Sequence, residues 1–327
     1  MRENLESFFT LEYPTYEIIF SVAETTDPAA VLVDDLIHRH PHVDAKLLVG
    51  ATAVGPNPKV NNLVKSYQTA KYDTTLISDS NVRVPQHYLK RLAGELDSGT
   101  GVVTAVIVGH APLGIGGLLE ATFLNTFYAR WMMLSARLGW PTVVGKSMFF
   151  RRSTMDRFGG IQNMGRYLAE DYMTGTAMQH LGLRVKIMRD AVPQIIGKHS
   201  FKDFWDRHVR WGRMRKSQAP LALFFEPLCG PVLSGAMGAW GFKGLMDIAP
   251  LHFLGAHLLS WFACDVLIML SMGARVSPLT PFVWITREFL AIPHWVHILS
   301  GNTVKWRGNR LRLYPGGILA ESHGGIK

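Results

Sequence analysis

A change of pattern near residue 200 constrains this chain more than any single motif. Ahead of it, short apolar runs at 16–22, 45–50, 74–78 and 102–108 alternate with amphipathic stretches at 28–39, 58–70 and 85–96. The first type reads as strand and the second as helix. Such alternation predicts an α/β domain around a mostly parallel sheet covered on both faces. In sheets of that kind ligands bind beyond the carboxyl ends of the strands. Asp27, followed by Pro28, is placed to cap a helix there, and Asp79 directly follows the third strand.

Behind the change lies a different kind of chain. Residues 201–216 form a basic amphipathic helix, with Phe201, Trp205, Val209 and Gly212 expected on its apolar face. That composition reads as an element lying on a membrane surface. Three apolar stretches follow, at 221–242, 250–272 and 282–299, each near the length that spans a bilayer. Glu226, Asp265 and the Arg287-Glu288 pair interrupt them, and polar groups at such depth normally face a partner or a cavity. The expected division is an α/β domain over 1–200, an interfacial helix over 201–220 and a membrane-embedded region with a basic tail over 221–327. Cys229 and Cys264 lack companions at metal spacing and read as small buried thiols. The segment Gly114-Ile115-Gly116-Gly117 lacks the final glycine of a dinucleotide fingerprint, and the helix expected at 117–137 reads as a packing or membrane-contacting element.

The excess of 34 basic over 25 acidic side chains, a formal charge of +9, suits a phosphate-bearing substrate or an anionic membrane. With no nucleic-acid motif beside it, no nucleic-acid partner is expected. Asp79, at a strand end and followed by Ser80 and Asn81, suits a hard divalent cation, Mg²⁺ or Mn²⁺, bridging a diphosphate. Asn81 stands where a second carboxylate would make the signal stronger. Lys59, Asn61 and Asn62 open a helix with one cation and two amides, groups that hold nucleotides and phosphates. Glu170 and Asp171 head another helix, and one of them could take the proton of an attacking hydroxyl. Arg207 and Arg210, three residues apart, share a helical face with Trp211 beside the second, able to neutralise a leaving diphosphate and to stack a sugar. Taken singly, each of these is also an ordinary cap, helix start or surface cation. Their order and contexts match transfer of a sugar from a nucleotide to an acceptor.

The segments Val54-Gly55-Pro56-Asn57-Pro58-Lys59-Val60-Asn61-Asn62-Leu63, Ser78-Asp79-Ser80-Asn81, Tyr167-Leu168-Ala169-Glu170-Asp171-Tyr172 and Arg207-His208-Val209-Arg210-Trp211 resemble those of ceramide glucosyltransferases. So do the first residues, Asn4-Leu5-Glu6-Ser7-Phe8-Phe9, and the likeness runs along nearly the whole chain. The resemblance implies a GT-A nucleotide-sugar domain with a Rossmann-like mixed sheet, followed by C-terminal membrane helices. It implies that Asp27 helps bind uridine, Asp79 binds the metal, Asp171 is the base, and Arg207, Arg210 and Trp211 complete the site. The partners implied are a UDP-sugar, a lipid acceptor and a membrane, with the catalytic domain facing the cytoplasm from a bacterial inner membrane or a Golgi membrane. The family's pattern would place a strand and a membrane helix ahead of Met1. It often has a histidine after Thr126, where this chain has Phe127-Tyr128, so the acceptor is open between ceramide and hopanoids or other lipids. A processive polysaccharide synthase, which shares a related motif with glutamine at the position of Arg207, and a catalytically silent membrane protein are the competing readings.

Overall fold

The computed structural model describes residues 1–306 and 309–321. In chain order the elements are α1 (Arg2–Glu6), β1 (Glu17–Val22), α2 (Pro28–Arg39), β2 (Asp44–Val49), α3 (Pro58–Thr69), β3 (Thr74–Ser78), α4 (Tyr88–Glu95) and β4 (Thr100–Leu113). There follow α5 (Gly114–Phe123), α6 (Ala129–Leu138), β5 (Ser147–Arg151), α7 (Arg152–Asp156), α8 (Glu170–His180), β6 (Arg184–Lys198) and α9 (Phe201–Gln218). The remainder is α10 (Pro220–Phe225), α11 (Pro231–Met246), α12 (Pro250–Ser271), α13 (Thr280–Leu299), β7 (Thr303–Trp306), β8 (Asn309–Leu313) and β9 (Leu319–Glu321). The chain forms two compact units, one of Met1–Val106 with Met132–Gln194, the other of Ile107–Trp131 with the residues from Ile195 onward.

The first unit is a mixed α/β structure. β1 and β2 pair in parallel, from Glu17 opposite Asp44 to Val22 opposite Val49. The other sheet has the order β3-β5-β4-β6, and β5 runs antiparallel to both neighbours. The mostly parallel sheet expected from the strand–helix alternation is thereby corrected, because β5 enters in reverse between β3 and β4. Parallel pairing of β1 with β2 beside these antiparallel pairs agrees with the mixed arrangement that the resemblance implied. The five residues of β5, Ser147–Arg151, are too few to show a strand period in sequence. Around this sheet Val60, Val64 and Tyr67 of α3 pack with Ile77, Val102, Met148, Phe150 and Met178. A smaller cluster joins Leu5 and Phe9 to Val33 and Leu36 of α2, which explains the helical spacing of apolar residues at the start.

The second unit is mostly helical. α5 and α6 are joined by a π turn at Leu124–Tyr128, where the buried Asn125 side chain accepts from the Gly109 amide at 2.7 Å and donates to its carbonyl at 3.1 Å. Ser200 and Asp203 cap α9 reciprocally. The buried face of α9 is Phe204, His208, Val209 and Gly212, so Phe201, which is exposed, lies off the face expected for it. α12 is long and apolar enough to cross a membrane, and its surface is mostly uncovered. α10 and α11 reach that length only as a pair bent by 65° at a break, where Gly230 and Pro231 interrupt the helix. α13 carries the buried pair Arg287 and Glu288 and an internal Pro293. Of the three apolar stretches, then, one is a straight span by length and composition. Asp265, buried in α12, is met by Arg130 and by the Trp284 indole N–H at 2.7 Å. Both cysteines are exposed rather than buried; Cys264 lies on the uncovered apolar helix, where the sequence pattern gives no inside or outside. Within the basic tail, Arg307 and Gly308 lie outside the described residues.

Candidate functional site

In the first unit, the carboxyl end of β3, the start of α3 and the start of α8 meet. The Asn57 side chain caps α3 by accepting from the amides of Lys59 at 2.9 Å and Val60 at 3.2 Å. Its own Nδ2 donates to the Tyr167 carbonyl at 2.7 Å and to Glu170 at 3.2 Å, which ties the two helix starts together. Lys59 is thereby aimed into a nest of oxygens. Its Nζ lies 2.9 Å from Glu170 Oε1 and 3.4 Å from Asp79 Oδ1, and donates to the Gly145 carbonyl at 2.7 Å.

Asp171 sits on the other side of the same glycine. Its Oδ2 accepts from the Gly145 amide at 2.7 Å and its Oδ1 from its neighbour's amide, that of Tyr172, at 2.8 Å. Burial, with Glu170 next to it, pushes the Asp171 carboxyl up to about 6, against the opposing effect of Lys59 and the two amides. Burial works against the charge on Lys59, but Glu170, Asp79 and Asp171 outweigh it and hold the ammonium above its ordinary range. A Cβ on Gly145 would lie 2.8 Å from Lys59 Nζ and 2.9 Å from Asp171 Oδ2. A Cβ there would have to displace one or both of these side-chain ends.

Lys59, Asp79 and Asp171, picked out from sequence, are therefore brought together. The others of the first unit hold separate positions. Asp27 is exposed and caps α2 by accepting from Ala29 at 2.9 Å. Asn61 holds the loop ahead of α3, accepting from Val54 at 3.0 Å and Gly55 at 3.2 Å and donating to the Gly55 carbonyl at 2.8 Å. Asn62 donates to the Ser21 carbonyl at 3.0 Å, and its Oδ1 is buried without a partner. Asn81 Oδ1 is likewise buried and unpartnered, two residues beyond Asp79. Among the described residues no three His, Cys, Asp or Glu side chains cluster as a metal cage. The oxygens of Asp79 and Asn81 fit a hard cation that takes most of its ligands from phosphate and water.

In the second unit, Arg207 Nη1 donates to Glu120 Oε1 at 3.1 Å, and His208 Nε2 lies 2.9 Å from Glu120 Oε2. Glu120, wholly buried in α5, thus grips two consecutive residues of α9. Burial lowers the pKa of His208, with Glu120 opposing, and lowers that of Arg210 with the help of the Arg207 charge. The Trp211 ring lies 6.2 Å from that of Phe123 and 5.1 Å from that of His208. Glu120, His208 and Gly145 were missed in the sequence. Glu120 lies in an apolar helix without a motif, although a carboxylate in such a stretch is itself a signal.

The family model for glycosyl transferase family 21 matches residues 1–319. Ceramide glucosyltransferase 1 of Caenorhabditis elegans is 31% identical over 98% of this chain and 70% of its own length. Ceramide glucosyltransferase of Komagataella phaffii is 30% identical over 94% of this chain and 79% of its own. A solved mannosyltransferase of Pyrobaculum calidifontis, in complex with GDP-Man and Mn²⁺, is 18% identical with a TM-score of 0.49, over 91% of this chain and 80% of that one. By the extent of the family match and the identity to these glucosyltransferases, the chain belongs to glycosyl transferase family 21.

Proposed function

We propose that this protein transfers glucose from UDP-glucose to the primary hydroxyl of a ceramide-like lipid by a single inverting displacement. The observation that carries the reading is the half-buried Asp171 carboxylate, fixed by the Gly145 amide beside Lys59, together with relatives that are named ceramide glucosyltransferases. The acceptor oxygen attacks the anomeric carbon while the bond from that carbon to the diphosphate oxygen breaks. Asp171 takes the hydroxyl proton, and UDP leaves with the bonding electron pair. Asp79 and Asn81 would hold Mg²⁺ or Mn²⁺, which when bound neutralises diphosphate charge. Lys59 is assigned to the donor phosphates, Arg207 and Arg210 to charge on the leaving diphosphate, Trp211 to stacking of sugar or acceptor, and Asp27, Asn61 and Asn62 to the nucleotide side.

The donor domain is assigned to residues 1–200, an interfacial role to 201–220, and membrane embedding to 221–327, with α12 as one span and the bent pair α10 and α11 as a second. In this reading the enzyme is multi-pass and works at the cytoplasmic face, in an inner or Golgi membrane. A second acceptor class, hopanoids or other lipid alcohols, is kept open by Phe127-Tyr128 in the π turn. Incubation of vesicles containing ceramide with UDP-glucose, followed by NMR of the isolated glycolipid, tests the reaction type. One β-linked glucose per lipid is expected. An α-linkage would refute the inverting step, and a ladder of longer chains would favour a processive synthase.

A further inference from the structure

A half-open cleft of about 40 Å³ in the second unit lies between α13 and the break that separates α10 from α11, with Phe127, Gly230, Leu233, Ala291 and Trp295 among its walls. That volume gives room for a polar group but not for an alkyl chain. Arg287 and Glu288 stand at this cleft. They pair with each other, and their side chains are 7% and 1% exposed. Burying an ion pair is expensive unless further hydrogen bonds complete it. Here Oε1 of Glu288 takes the guanidinium, while Oε2 receives no hydrogen bond from any described residue. The guanidinium also lies 4.8 Å from the Phe127 ring and 5.4 Å from the Phe123 ring. Phe123 in turn neighbours Trp211, so an aromatic wall leads from the proposed acceptor-side tryptophan to the cleft. Glu288, Ala291, Ile292 and Trp295 lie at helical spacing along one face of α13, and Trp295 is fixed by donating to the Leu223 carbonyl at 2.9 Å.

We propose that this cleft seats the polar head of the lipid acceptor, with an amide N–H or hydroxyl of the lipid donating to Glu288 Oε2 and the apolar chains leaving along α11 and α13. A small enclosed polar end opening onto apolar helix faces suits a lipid with one compact hydrogen-bonding head. The inference rests on the lipid-glycosyltransferase reading above and names the acceptor's seat within it.

The test compares wild type with Ala291→Phe, which fills the cleft, and Glu288→Gln, in vesicles carrying ceramide. The Michaelis constant for ceramide should rise about tenfold or more in Ala291→Phe, while that for UDP-glucose stays within about twofold. Equal shifts for both substrates, or none for either, would overturn the assignment. Because Glu288→Gln could unfold by leaving Arg287 unpaired, a ceramide carrying a diazirine next to its amide provides a second measurement on the unaltered protein. Crosslinks within 226–233 and 287–295 support the seat, and crosslinks confined to other segments refute it. Crosslinking in the cleft without any sugar transfer would overturn the proposed reaction while leaving the lipid seat standing. Transfer with crosslinks elsewhere would do the reverse.

Discussion

Asp171 is where the chemistry of the molecule concentrates. A carboxyl pushed up to about 6 by burial and by Glu170 is neutral in acid and charged near neutrality, and only the charged form can accept a proton. Transfer, measured as kcat/KM against pH, should therefore rise as pH increases through about 6 and then level off. A profile flat between pH 5 and 8, with the donor bound normally, would remove Asp171 from the role of base. Gly145 gives a second prediction. A Cβ there would press on Lys59 Nζ and Asp171 Oδ2, so Gly145→Ala should lower kcat on the order of 10²-fold with little change in Tm. A large loss of Tm with normal specific activity in the folded fraction would mean that the glycine serves folding alone. Asp79 and Asp171, which the fold brings near Lys59, were legible because one follows a recognisable strand and the other opens a recognisable helix, as Asp27 was legible as the cap of α2. Gly145 was not, because its importance comes from where β5 brings its backbone, and no local pattern records that.

At the scale of elements, the sequence located α2 and β3 correctly, since Asp27-Pro28 and the short run ending at Asp79 carry their own boundaries. The strand–helix alternation alone pointed to a mostly parallel sheet, which failed because strand direction is decided by partners distant in the chain, whereas the mixed sheet implied by the resemblance holds. The join between α8 and the segment before β5 offers a test of packing. Alanine improves an exposed helix over glycine by about 1 kcal/mol, yet a Cβ on Gly175 would lie 2.2 Å from the Pro141 carbonyl oxygen. Gly175→Ala should thus destabilise the first unit by about 1–3 kcal/mol, read as a lower Tm; an unchanged or higher Tm would show that residue 141 yields freely. For α12, whose Leu259 is exposed, Leu259→Arg should cost about 2.5–3.5 kcal/mol of insertion at a helix centre. The readout is the fraction of protein left in carbonate-washed membranes. No decrease would mean that this helix is not a span.

For the whole molecule, the match along residues 1–319 places the chain in glycosyl transferase family 21, and the cluster of Lys59, Asp79, Glu170 and Asp171 is compatible with the proposed transfer. The relatives named ceramide glucosyltransferases add a lipid as the natural acceptor, and among the described residues α12 is by itself long and apolar enough to cross a membrane. If a divalent cation is held by Asp79 and Asn81, chelation should abolish transfer, and Mg²⁺ or Mn²⁺ should restore it in wild type but not in Asp79→Ala. Full activity in excess chelator would exclude the cation. The most direct test of the account is transfer of labelled glucose from UDP-glucose to ceramide in vesicles, with wild type and Asp171→Asn side by side. A single labelled glycolipid, reduced by about 10²–10⁴-fold in the variant as expected for loss of a general base, is the predicted result. Equal labelling by both proteins would contradict the mechanism, and absence of labelled lipid with the wild type would contradict the function.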